Sequence, residues 1–225
     1  MSCQSVAQRL LGISLMSLIP AVFATSPVFA VAVAVICAQE CDVVEPVSIV
    51  IAPDGSGMRF EEARDFEGNV VDATIRVQVM GYDEHGPLGV IYQYPAEDIW
   101  LQAAEDYSHG CGTPYVTIAD GPTDEEGWTT FSQAPRGGGW TRGEMRVVIG
   151  GEPSSSSPYD IPALPLAFNS PDIDASGRVN LTDIAIFCAD MGASDTPYRS
   201  DLVWDGVIDL SDIAVFSSFM GATCP

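Results

Sequence analysis

Near the end of the chain a twelve-residue pattern of oxygen-bearing side chains occurs twice, and few folds can accommodate it. The first copy runs Asp172-Ile173-Asp174-Ala175-Ser176-Gly177-Arg178-Val179-Asn180-Leu181-Thr182-Asp183, with side-chain oxygens at positions one, three, five, nine and twelve and glycine at six. Asp201 stands 29 positions after Asp172 and opens the second copy, Asp201-Leu202-Val203-Trp204-Asp205-Gly206-Val207-Ile208-Asp209-Leu210-Ser211-Asp212. The residues after each copy also repeat. Asp183-Ile184-Ala185-Ile186-Phe187 matches Asp212-Ile213-Ala214-Val215-Phe216, and Met191-Gly192 matches Met220-Gly221. Ile184, Phe187, Cys188 and Met191 fall at i, i+3, i+4 and i+7, the apolar stripe of a helix that Gly192 ends. The repeating unit is a polar loop that feeds a short helix.

Oxygens at those positions have the spacing of an EF-hand loop, which surrounds Ca2+ with six to eight oxygen ligands and takes the position-seven ligand from the backbone. Gly177 permits the sharp turn that aims both halves of the loop inward. No incoming helix precedes either loop, so an opening switch of the calmodulin kind is not expected. These residues make the region resemble the type I dockerins, a family with two loop-helix calcium motifs in a small module that docks onto a cohesin domain. The resemblance implies that Asp172, Asp174, Ser176, Asn180 and Asp183 ligate one ion, with Arg178 giving its carbonyl. It implies Asp201, Asp205, Asp209 and Asp212 for the second, with the carbonyl of Val207. Val203 departs from the family pattern, which has Asp or Asn there, and predicts a weaker second site with a water in place of the missing oxygen. Partner recognition in the family uses the residues just before the last ligand, commonly a hydroxyl pair. Here those positions read Leu181-Thr182 and Leu210-Ser211, and packing of the two leucines between the loops is an alternative role. Asn180-Leu181-Thr182 also spells a glycosylation acceptor, but a cation loop is a poor place for a glycan.

Upstream, roughly residues 39–158 read as all-β. In Val71–Val79, Val71, Ala73, Ile75, Val77 and Val79 share one face, while Asp72, Thr74, Arg76 and Gln78 share the other. Similar runs occur at Val47–Ile51, Leu88–Tyr94, Ile99–Gln102, Tyr115–Ile118, Trp128–Phe131 and Met145–Ile149. Between them lie turn-formers such as Pro53-Asp54-Gly55, Glu67-Gly68-Asn69 and Arg136-Gly137-Gly138-Gly139. About seven short strands in such a span predict a β-sandwich. The phrase Thr123-Asp124-Glu125-Glu126-Gly127-Trp128-Thr129-Thr130-Phe131, with Gly68-Asn69-Val70-Val71 before it, resembles the turn-and-strand pattern of bacterial immunoglobulin-like surface domains. The expected layout is a signal peptide at 1–38, an immunoglobulin-like sandwich at 39–158, a linker at 159–170 and a dockerin-like, helical module at 171–225.

The N-terminus reads as an export signal: Arg9 precedes an apolar run from Leu10 to Ala24, and no acidic residue occurs before Glu40. A second apolar stretch lies at Val28 to Ala38, and small-x-small patterns end at Ala24, Ala30 and Ala38. Cleavage near Ala38, where polarity begins, is favoured; left uncut, Leu10–Ala38 is long enough to span a bilayer. Cleavage there leaves Cys41, Cys111, Cys188 and Cys224, for which local pairing (Cys41 with Cys111, Cys188 with Cys224) would keep each domain independent. With nine basic residues, all arginine, against 31 acidic ones, the formal charge is −22. Such a surface repels nucleic acid and anionic lipid and suits divalent cations.

No nucleophile elbow accompanies either histidine, His85 or His109, and coincidental carboxylate pairs abound. The sequence thus predicts a secreted or cell-surface, non-catalytic protein whose calcium module serves attachment or assembly through a cohesin-like partner. The alternative is an accessory protein that binds or degrades polysaccharide, with Trp100, Trp128 and Trp140 as a sugar platform rather than core.

Overall fold

Period-two alternation builds the β body. In the computed structural model Ile75, Val77 and Val79 are fully buried while Arg76 between them is exposed. The structure describes residues 29–36, 46–83, 86–103, 108–109, 111, 117–142, 145–153, 164–193 and 197–225. Cys41, His85 and the serine run before Pro158 lie outside the described residues, as does the expected leader apart from Phe29–Ile36.

In chain order the strands are β1 (Phe29–Ile36), β2 (Val47–Val50), β3 (Ala63–Arg64), β4 (Val70–Val71), β5 (Ile75–Asp83), β6 (Gly86–Val90) and β7 (Ile99–Ala103). Next come β8 (Ser108–His109), β9 (Thr117–Ile118), β10 (Trp128–Phe131), β11 (Gly138–Thr141), β12 (Met145–Ile149), β13 (Glu152–Pro153) and β14 (Leu166–Asn169). Two helices close the chain, α1 (Leu181–Met191) and α2 (Leu210–Ser218). One sheet has the order β1-β5-β10 with β6 also on β5, a second β4-β3-β2-β14-β11-β8, and a third β13-β12-β7-β9. Ile49, Ile75, Val77, Leu101, Phe131, Val147 and Phe168 come from all three sheets and meet in one core. The described chain is thus mostly β-sheet with two short helices, compatible with a β-sandwich.

Three local differences from the sequence-based expectation have physical causes. The run expected as one strand from Val71 is split, because the Asp72 carboxylate accepts the Thr74 N–H at 2.9 Å and turns the chain before β5. Gly138 and Gly139, expected in a turn, open strand β11. Leu166–Asn169, inside the stretch expected as linker, forms β14 and runs parallel to β2, with Leu166 opposite Val47 and Asn169 opposite Val50.

Strands β2 and β14 are buried on both faces. Val47, Ile49, Leu166 and Phe168 enter the sandwich core. The alternate residues face the C-terminal region. The Ser48 hydroxyl lies 3.0 Å from the Tyr198 hydroxyl, Val50 joins a second core with Ile173, Val179, Phe187, Leu202 and Phe216, and the Asn169 amide donates to the Asp201 carbonyl. The loops and helices therefore lie as a further layer on the β2–β14 pair.

The disulfide overturns the expected local pairing. Cys111 bonds to Cys224, 113 residues on, and Cys188 is a free, exposed thiol. The bond ties the β body to the last residues of the chain, which themselves lie against the first loop: the Val179 N–H donates to Ala222 at 2.9 Å and the Cys224 N–H to Gly177 at 2.9 Å. Closing so long a loop constrains the unfolded chain, and replacing both cysteines by serine is expected to cost about 2–4 kcal/mol in denaturant melts. Peptide mapping without reduction should recover Cys111 joined to Cys224, with Cys188 open to alkylation. A Cys188–Cys224 peptide would contradict this arrangement.

Candidate metal centre

The two polar loops share one backbone framework. Position four is left-handed in both, at Ala175 (φ 55°) and Trp204 (φ 62°), as is position six, at Gly177 and Gly206 (φ 82° each). A non-glycine residue there costs about 1–2 kcal/mol, so the loop geometry is held by other interactions. The carboxylates at positions one and twelve supply them. Asp172 accepts the N–H groups of Ser176 at 3.0 Å and Gly177 at 2.9 Å; Asp201 accepts those of Asp205 at 3.2 Å and Gly206 at 2.9 Å. Asp183 accepts from Asp174 at 3.2 Å and Asn180 at 2.9 Å, and Asp212 from Val203 at 3.0 Å and Asp209 at 2.9 Å. The position-nine residues cap the helices: Asn180 accepts the Thr182 N–H at 2.8 Å and Asp209 the Ser211 N–H at 2.7 Å. Phe187 of α1 meets its counterpart Phe216 of α2 with ring centroids 5.3 Å apart.

Electrostatics sets these loops apart from ordinary turns. Asp172, Asp183 and Asp212 are fully buried and Asp201 nearly so. Among the described residues none of the four has an ion-pair partner, whereas Asp190 is held by the Arg199 guanidinium at 2.8 Å on both oxygens. Burial is the main cause that pushes all four carboxyls above their ordinary range; the Asp183 charge adds to the effect on Asp172 and the Asp212 charge to that on Asp201. By contrast the exposed Asp209 carboxyl is lowered by its bonds from Ser211. Buried like charges of this kind need a cation or a proton.

In the first loop the oxygens converge. Ligand atoms of Asp172, Asp174 and Asp183 all lie within 4.8 Å of one another, a triad that can hold a metal ion. The Arg178 carbonyl accepts from the Ser176 hydroxyl at 3.3 Å and the Asn180 amide at 3.0 Å, so it is turned toward the same side chains. An all-oxygen set with several carboxylates fits a hard divalent cation. In the second loop Val203 keeps the backbone bond to Asp212 but brings no oxygen, and no such triad forms among its described residues.

Residues outside the repeat hold the first loop in place, and no motif in the sequence marks them. Gly138 of β11 lies so close to Asp172 that a Cβ would clash with its carboxylate, and the Gly139 N–H donates to the Asp172 carbonyl at 2.6 Å. Leu181 and Leu210 do not pack between the loops; they are 77% and 79% exposed, because position ten opens each helix on its outer side. The three tryptophans of the alternative sugar platform sit on different sheets. Trp100 is half-buried on β7, Trp128 on β10 lies under the Arg76 guanidinium at 4.7 Å, and Trp140 on β11 meets the Tyr198 ring at 6.4 Å. No protein-family model, curated protein or solved structure matches the chain.

The buried carboxylates invert the usual sign of a stability effect. A carboxyl raised in the folded state penalises the cation-free fold above its raised value, and the penalty is relieved as pH falls through that value. In chelator at neutral pH, Asp183→Asn should melt no lower than the parent, with any gain shrinking on acidification. In millimolar calcium the same substitution should remove about 2–3 kcal/mol of ion-dependent stabilisation. Equal destabilisation in both buffers would show Asp183 to be purely a backbone brace.

Proposed function

We propose that this is an exported, non-catalytic protein whose duplicated loops bind Ca2+ and form a dockerin-like module for attachment or assembly at the cell surface, on an immunoglobulin-like β body. The observation that carries the reading is the set of four buried aspartates, without a basic partner among the described residues, repeated at equivalent positions of two loops. Calcium is the hard cation whose flexible, oxygen-only coordination suits a loop of six donors. The first loop offers Asp172, Asp174, Ser176, Arg178, Asn180 and Asp183; the second offers Asp201, Asp205, Val207, Asp209 and Asp212 and is one oxygen short. Mass action in a calcium-rich medium would then stabilise the fold continuously rather than signal.

The attachment part rests on a matched pair of surface features. Leu181-Thr182 and Leu210-Ser211 are exposed at equivalent loop positions, and a large apolar side chain beside a hydroxyl, presented twice, suits a protein partner of the cohesin type. The net charge of −22 argues against nucleic acid. Among the described residues no helix is long and apolar enough to cross a membrane.

Titration calorimetry of the purified chain with calcium should give two binding events, the second weaker, and a large calcium-dependent rise in melting temperature. Asp172→Ala should remove the tighter event and Asp201→Ala the weaker. Binding to a panel of cohesin-type domains should require calcium and should fall at least tenfold in the Leu181→Ser/Leu210→Ser double variant. Failure of every cohesin domain to bind the calcium-loaded chain would remove attachment while leaving the calcium sites.

A further inference from the structure

The first loop is flanked by two parts of the chain that are distant in sequence. On one side stands β11, where the Gly139 N–H donates to the Asp172 carbonyl and Gly138 lies against the Asp172 carboxylate. On the other side runs the end of the chain. The Gly177 carbonyl accepts the Cys224 N–H at 2.9 Å, the Val179 N–H donates to the Ala222 carbonyl at 2.9 Å, and the Val179 carbonyl accepts the Gly221 N–H at 3.1 Å. A Cβ at Gly177 would stand 3.3 Å from the Cys224 sulfur, so the disulfide rests on the turn of the loop itself.

The two flanks are joined covalently. Strand β8 pairs with β11, placing His109 opposite Gly138 and Ser108 opposite Gly139, and Cys111 stands two residues after His109. The bond from Cys111 to Cys224 therefore closes a ring. It runs from Asp172 to Gly139, across to β8 and Cys111, through the disulfide to Cys224, and through Gly177 back to the Asp172 carboxylate, which accepts the Gly177 N–H at 2.9 Å. The ring thus includes a carboxylate of the metal-binding triad. The tail also holds the residues on either side of Arg178, whose carbonyl is turned toward the same donors. Gly206–Ile208, the matching residues of the second loop, make no backbone bond to another segment among the described residues. Cys111 and Cys224 are only half-buried, within reach of a small thiol.

We propose that the Cys111–Cys224 disulfide sets the calcium affinity of the first loop, making this site tight in an oxidising medium and weak once the bond is reduced. The inference rests on the first loop binding calcium. With the ring closed, Gly177–Val179 and the Arg178 carbonyl are already ordered; with it open, the ion must order them as it binds. The coupling is reciprocal: the factor by which the bond tightens calcium is the factor by which calcium protects the bond. A dithiol supplies the two electrons and two protons that convert the bond to two thiols, and itself closes to a disulfide.

Calorimetry compares the oxidised full chain with its Cys111→Ser/Cys224→Ser variant. The tighter calcium event should weaken about tenfold in the variant while the weaker event stays unchanged. In dithiothreitol redox buffers, with the joined Cys111–Cys224 peptide counted after acid quench, saturating calcium should lower the midpoint by about 30 mV relative to chelator, the equivalent of that tenfold. Asp183→Asn, which alters a donor of the first loop, should abolish the shift. Equal calcium affinity in the oxidised chain and a folded double-serine variant would overturn the proposal. So would a midpoint that calcium leaves in place, or moves equally in the Asp183→Asn chain, and these readings do not require the reduced chain to stay folded. No calcium event in the oxidised chain would remove the calcium reading and this inference together.

Discussion

Among the described residues, four aspartate carboxylates, Asp172, Asp183, Asp201 and Asp212, are withdrawn from water without a basic side chain paired to them. Much of the architecture of the C-terminal region derives from that constraint. Each carboxylate gathers at least two backbone N–H groups, and those bonds bend the chain into two loops of matching shape, with left-handed residues at equivalent positions. Hydrogen bonds from neutral donors stabilise a carboxylate but do not neutralise it. A divalent cation or a proton does, and the first loop brings together three carboxylates that could hold a metal ion.

The two loops have diverged within that shared framework. The first keeps its carboxylates converged and is sealed by β11 on one side, where only a glycine fits at position 138, and by the C-terminal residues on the other. The second has exchanged an oxygen for Val203 and carries Trp204 at the strained fourth position. Trp204 extends a chain of ring contacts through Tyr198 to Trp140 on β11 and through Phe66 to the β3–β4 turn. The first loop gathers a carboxylate triad that can hold a metal ion, and the second anchors the C-terminal region to the sheet. The seam between them is continuous with the two-sided burial of β2 and β14 and is closed covalently by Cys111–Cys224.

Local pattern makes the repeat legible in the sequence alone: the clustered carboxylates of Asp172, Asp174 and Asp183, the left-handed glycine at position six, the capping residues and both helices lie where the twelve-residue spacing puts them. Alternation likewise marks β5, β7 and β10, because one face of each is buried and the period survives. The features that escape a reading of the sequence are non-local. Strand β14 is covered on both sides, so its four residues show no alternation and read as part of a linker. Gly138 and Gly139 look like a turn until Asp172 is placed against them. The Cys111–Cys224 bond depends on the C-terminal residues folding back along Gly177–Val179, which no spacing rule encodes. Phe66, Arg142 and Tyr198 belong to no motif and become neighbours only through the seam.

Amide hydrogen exchange in calcium and in chelator tests most directly whether cation loops and β body form one cooperative unit. The account predicts that calcium slows exchange in Val47–Val50 and Leu166–Asn169 as well as in the loops themselves, since those strands carry the seam. Protection confined to residues 172–212, or no response to calcium anywhere, would contradict it.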